Sequence, residues 1–245
     1  MVHGMPDEAH VKSYTDITRT DDISELAARL GSPQTYERRG NVLYVDDFSH
    51  GANTWTVTRG LGTENATLSG TYNLVGGAAL LLQNTQGVGE TVYAVRYLPL
   101  FSDAIYGLFF MLSINTAGNK IQCQALHFGD TTRWNYVITL YPNEKTLYYT
   151  PSGGTPSLLT DNLDIFNGSE IFHLVGIIFD TIKHEWVQVI IDNVVYDVSG
   201  IEPTSIPNSI PPHFRFGIVS ISTSELDTTT IVDSIVLTQN PTLVN

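Results

Sequence analysis

The side chains whose types and spacing bear most directly on chemistry lie in TRWNYVITLYP, residues 132–142. Trp134 and Tyr136 are two apart, so in an extended strand both rings project from one face. Such alternation builds a flat platform on which sugar rings stack. Trp186 opens another β-rich run and would join them, while Arg133, Asn135 and Gln188 are polar neighbours suited to a wet groove. The same large rings equally suit a buried core, and the sequence leaves both readings open.

Catalytic chemistry has less support. Glycoside hydrolysis calls for two carboxylates roughly 5 to 9 Å apart, and β-sandwich glucanases often carry them along one strand as E-x-D-x-x-E. No such string occurs. Asp46 and Asp47 are adjacent, so they point to opposite faces of their strand, and one of them is expected to satisfy backbone groups at the strand end. A carboxylate pair assembled from distant strands would escape a motif search.

The seven histidines, at 3, 10, 50, 127, 173, 184 and 213, never fall at the i, i+2 or i, i+4 spacing that makes a metal site from one element. His184-Glu185-Trp186 begins like a zincin motif but has no second histidine. There is no G-x-S-x-G elbow, Walker loop or dinucleotide fingerprint, and Gly60-Leu61-Gly62 lacks a third glycine. We therefore expect no enzyme, no catalytic residue and no cofactor. A structural calcium ion stays open, although no contiguous Asp-rich loop suggests one. Cys123 cannot form an internal disulfide, and its alternation with Gln122 and Gln124 predicts a small buried apolar residue.

These groups must be positioned by a chain of 245 residues, enough for one large β-domain or two small ones. Charged residues are only 15%, and the formal net charge is −13. Beyond residue 40 there are seven basic against eighteen acidic groups. Such a surface repels phosphate, which disfavours nucleic acid as a partner. No apolar run approaches bilayer length, and no charged-then-apolar leader opens these residues, so a soluble cytoplasmic product is expected. The glycosylation sequons at Asn65 and Asn167 are accordingly read as chance matches.

Two regions follow. Residues 1–40 form an arm. Its first twenty residues show no period, whereas DDISELAARLGSP places Ile23, Leu26, Ala27 and Leu30 on one helical face, with Asp22 as cap and Gly31 and Pro33 as stop. This predicts a short helix at about 22–30, too short to stand alone. Residues 41–245 read as an all-β domain. Its clearest runs are 42–48, 71–75, 78–83, 91–98, 105–115, 120–128, 134–141, 145–150, 170–179, 184–191, 194–199, 213–222 and 230–239, without a helix between them. Asp192-Asn193 predicts a tight hairpin within a meander over 170–199. The Gly-, Ser- and Pro-rich stretches 151–169 and 201–212 are long connections of the kind that carry binding surfaces or simply cross between sheets.

VLYVDDFSHGANTW, FHLVGIIFDTIKHEWVQVIIDNVVYDVSG and the closing TTIVDSIVLTQN resemble the concanavalin A-like, or laminin-G-like, jelly roll over about 41–240. The resemblance implies an antiparallel two-sheet sandwich and no particular catalytic residue. DDISELAARLGSPQTYERRGNVLYVDDF is also similar to the segment preceding such jelly rolls in virion proteins of tailed bacteriophages. It implies a virion accessory protein, made in the host cytoplasm and held to capsid or tail proteins, or to copies of itself, by the arm. Ile23, Leu26, Ala27 and Leu30 would bury apolar area there, and Arg29, Arg38 and Arg39 would pair with acidic groups. The alternative is a carbohydrate-binding module that uses Trp134, Tyr136 and Trp186 on a cell-surface glycan.

Overall fold

The computed structural model describes residues 41–243 apart from 61–64, 74–76, 85–86, 115–118, 166–170, 224–226 and 242. The arm, with its expected helix and its docking residues Ile23, Leu26, Ala27, Arg29, Leu30, Arg38 and Arg39, lies outside the described residues.

Sixteen strands are described, and the described residues contain no helix. They are β1 (Asn41–Asp46), β2 (Thr56–Arg59), β3 (Asn65–Ser69), β4 (Ala79–Asn84), β5 (Thr91–Leu98), β6 (Ile105–Ile114), β7 (Asn119–Phe128) and β8 (Thr132–Tyr141). The second half of the chain adds β9 (Thr146–Tyr149), β10 (Ser157–Thr160), β11 (Phe172–Asp180), β12 (Glu185–Ile191), β13 (Val194–Ile201), β14 (Thr204–Pro207), β15 (His213–Ser222) and β16 (Thr228–Gln239).

They form two eight-stranded antiparallel sheets. The back sheet runs β13-β12-β11-β6-β16-β4-β3 and the front sheet β10-β9-β8-β7-β15-β5-β2. Two long strands each share one edge between two partners. β16 pairs β4 along its first half and β1 along its second, and β8 pairs β14 along its first half and β9 along its second. The chain passes between sheets at β1 to β2, β2 to β3, β4 to β5, β5 to β6, β6 to β7, β10 to β11, β13 to β14 and β15 to β16, which makes the sandwich the expected jelly roll.

Alternation sorts each strand into an inner and an outer face. Leu108, Phe110, Leu112, Ile177, Phe179, Val189, Ile235 and Leu237 of the back sheet meet Ile121, Cys123, Ala125, Ile138, Leu140, Phe214, Phe216 and Ile218 of the front sheet in one continuous core. Each fully buried side chain of this size stabilises by about 1.5–3 kcal/mol. Cys123 is the small buried residue its alternation predicts, and burial raises its thiol pKa far above the ordinary value.

A second apolar layer lies on the outer face of the back sheet, where Phe109 packs with Ile178, Val187, Ile190 and Val236. Its centre is the Phe109 ring lying over Gly176, where an added Cβ would come within 3.0 Å of Phe109 Cδ1 and Cε1.

The meander over β11, β12 and β13 is as expected, and Asp192 takes positive φ (52°) at its tight turn. Three expectations need correction. β2 and β3 were not predicted. Residues 71–73 are outside any strand, and 74–75 lie outside the described residues. The two long connections contain the short strands β10 and β14, each four residues with little apolar pattern of its own.

Candidate functional site

The expected aromatic platform is divided by the core. Tyr136 is fully buried, stacked on Phe179 at 4.4 Å and edge-on to Trp186 at 5.5 Å, and its hydroxyl donates to the Asp180 carbonyl at 3.2 Å. Trp186 is likewise fully buried. Neither ring is open to a sugar, because the shared face of β8 is the inner one. Gln188 is buried in the back sheet, away from Arg133 and Asn135 of the front sheet.

Trp134 lies on that same inner face but at the strand's start, where the sandwich opens, and is half-buried. The hairpin between β11 and β12 closes over it. Asp180 Oδ1 accepts the amides of Ile182 and Lys183 at 2.7 and 3.0 Å, and His184 adopts φ 54°. That turn lays the His184 ring on the Trp134 indole, centroids 3.7 Å apart and planes 10° from parallel. His127, opposite Trp134 on β7, stacks on it at 5.3 Å. Burial lowers the pKa of both histidines, and the nearby Asp103 carboxylate opposes that shift.

The outer face of the front sheet is different in kind. Register places Ile206, Arg133, Phe128 and His213 in one row across β14, β8, β7 and β15. The next row holds Asn135, Leu126, Arg215 and Tyr97, ending on β5. The Phe128 ring forms the floor and is covered by polar side chains. His213 stacks on it at 3.9 Å, and the guanidinium groups of Arg133 and Arg215 lie over it at 5.5 and 5.6 Å. Arg215 also reaches over Tyr97 at 5.9 Å, and Tyr97 is 48% exposed. Further along the face Gln124 donates to Gln122 at 3.3 Å, Gln122 donates to Thr139 at 3.4 Å, and Tyr93 stands exposed.

Four buried polar atoms of this face have no hydrogen-bond partner: Arg133 Nε, Arg215 Nε, Asn135 Oδ1 and His213 Nε2. His213 Nδ1 is engaged with the Pro211 carbonyl at 2.7 Å, which fixes the ring and leaves Nε2 aimed elsewhere. Buried polar atoms are ordinarily paired, and these four are among fourteen unpaired ones in the described residues. No carboxylate among the described residues approaches either guanidinium within 4.0 Å. Burial lowers the pKa of Arg133, and the positive charge of Arg215 lowers it further.

Several carboxylates elsewhere are engaged locally. Asp46 accepts from Tyr44 Oη at 2.7 Å, Trp55 Nε1 at 2.8 Å and the Phe48 amide at 2.9 Å, which is the expected role at a strand end. Asp47 accepts the Ser49 amide and hydroxyl. His173 pairs with Asp192 at 2.7 Å. Among the described residues no three His, Cys, Asp or Glu side chains converge in a group able to hold a metal ion. No helix of the described residues is long and apolar enough to cross a membrane.

Sequence reasoning had marked Arg133 and Asn135 but missed Phe128, His213, Arg215 and Tyr97. The readable signal was HFRF, residues 213–216, whose alternation sends Phe214 and Phe216 inward and His213 and Arg215 outward.

No family model and no curated protein matches the chain. Solved structures do. The cellulose induced protein Cip1 is similar at 11% identity and a TM-score of 0.55, over 82% of this chain and all of that one. The potassium-bound carbohydrate recognition domain of Emp46p is 13% identical with a TM-score of 0.48, over 81% of this chain and 94% of that one. The exoplasmic/lumenal domain of VIP36 bound to Ca2+ and Man3GlcNAc is 11% identical with a TM-score of 0.45, over 78% and 85%. The likeness is one of fold, the concanavalin A-like jelly roll.

Proposed function

We propose that the chain is a non-catalytic carbohydrate-binding module whose glycan lies on the outer face of the front sheet, across Tyr97, Arg215, Phe128, His213, Arg133 and Asn135. The observation that carries this reading is the register that sets the exposed Tyr97 ring beside Arg215, His213, Arg133 and Asn135 on one outward face. A sugar presents an apolar ring face and a hydroxyl rim. Tyr97 and Tyr93 supply surfaces for the first, and Asn135, His213 and the guanidinium groups supply partners for the second. The site is thus on the opposite face of the sheet from the platform that Trp134 and Tyr136 suggested.

Retention of the full chain on immobilised glycans tests the reading. Tyr97→Ala should lose retention while its melting temperature stays within about 2 °C, as expected for an exposed side chain. Unchanged retention by this variant, or no retention of any glycan by the parent chain, overturns it.

Attachment of such a module to a phage particle through residues 1–40 is a separate proposal, carried by the sequence of the arm. A chain lacking 1–40 should then remain a folded sandwich and fail to bind particles.

A further inference from the structure

Resting on that reading of the front-sheet face, we infer that the glycan recognised there is acidic, and that Arg133 and Arg215 clamp a carboxylate or sulfate of one of its sugar units, with His213 beside them.

Charge supports this first. Residues 41–245 contain only seven Lys and Arg against eighteen Asp and Glu. Two of those seven lie over one phenyl ring, close enough for Arg215 to depress the pKa of Arg133. Two like charges gathered on one ring are unfavourable, and in an acidic protein carboxylate partners are plentiful. Yet among the described residues none lies within 4.0 Å of either group. The arrangement is satisfied by an anion that the described residues do not supply.

Geometry supports it second. Phe128 holds both guanidinium planes by cation–π contact, and Tyr97 holds Arg215 from the other side of its row. Immobilised, planar, partly desolvated guanidinium groups bind two-oxygen anions through paired N–H donors. An anion at this place also has Asn135 and the exposed ring of Tyr97 within the same two rows, so the rest of the sugar meets hydrogen-bonding and stacking groups at once. A neutral glycan would leave the two positive charges unneutralised.

The test uses four polysaccharides in affinity electrophoresis with the full chain: polygalacturonate, its carboxyl-reduced form, κ-carrageenan and its desulfated form. Retention by an acidic member and its loss on reduction or desulfation supports the inference, and which pair responds identifies carboxylate or sulfate as the group. Equal retention of charged and neutral partners overturns the inference and leaves the carbohydrate reading standing. No retention of these or of any immobilised glycan overturns both.

Arg215→Gln and Arg133→Gln should each weaken retention of the acidic glycan on the order of tenfold. Arg215→Lys keeps the charge and the stem over Phe128 but loses the planar fork, and should weaken binding while the melting temperature holds. Parent-like retention by all three variants overturns the siting.

Discussion

His184, in the turn joining β11 and β12 of the back sheet, and Trp134 of the front sheet have rings 3.7 Å apart and within 10° of parallel, so one stack ties the two layers together at the open end of the sandwich. Trp134 packs against the main core as well. Trp134→Ala should therefore cost about 3 kcal/mol of stability, and His184→Ala about 1 kcal/mol. Urea denaturation measures both. Glycan retention by folded Trp134→Ala should be preserved, because the indole is on the inner face. Lost retention in a fully stable variant would return the ring to the binding surface.

The same stack makes stability depend on pH. His127 and His184 have folded pKa values below their ordinary 6.5, mainly through burial. The unfolded chain thus binds more protons in the window between 6.5 and the lowered values, and stability rises with pH there. The contribution is complete above 6.5 and is lost as pH falls through the folded values. Melting temperatures from pH 8 to pH 5 should decline below about 6.5, and His127→Gln should flatten that decline. An unchanged slope would assign it to other groups.

Asp46 and Asp47 are neighbours in sequence with unequal duties. Asp46→Ala leaves the Trp55 indole N–H and the Tyr44 hydroxyl without their acceptor and should cost about 3 kcal/mol. Asp47→Ala, which loses only exposed bonds to Ser49, should cost under about 1 kcal/mol. Equal losses in denaturation curves would contradict the assignment. Neither change should alter glycan retention by folded protein.

On the back sheet, Gly176→Ala would push a methyl group into the Phe109 ring and against Ile190 Cβ at 3.2 Å. The expected loss is about 1–3 kcal/mol. Phe109→Leu removes the ring from that space, so the double variant should lose less than the two single losses added. Strict additivity would mean the two positions do not share the contact.

The fold was readable where β-rich runs are bounded by clear turn residues. FHLVGIIFD and EWVQVII, with Asp192-Asn193 after them, specify strands and a turn by local chemistry alone. The misses are the short edge strands TVTR, NATLS, SLLT and TSIP, whose few residues carry little pattern of their own. The site was less readable for a related reason. Tyr97, Phe128, Arg133 and Arg215 come from four strands, and only register puts them in two adjacent rows. Trp134 and Tyr136 were paired correctly on one face, but which face is inner depends on the whole sheet. A two-residue spacing cannot tell inside from outside.

The divided edge of β8 carries a consequence for assembly. Its second half is met by β9, a few residues downstream, whereas its first half waits for β14, which follows the entire β11–β13 meander of the other sheet. Contacts that close so long a stretch of chain form late. The Ile206 side of the arginine row should therefore be finished only after both layers have met, and retention of the proposed glycan would then report completed topology. Refolding protein should recover its far-ultraviolet β signal before it recovers binding.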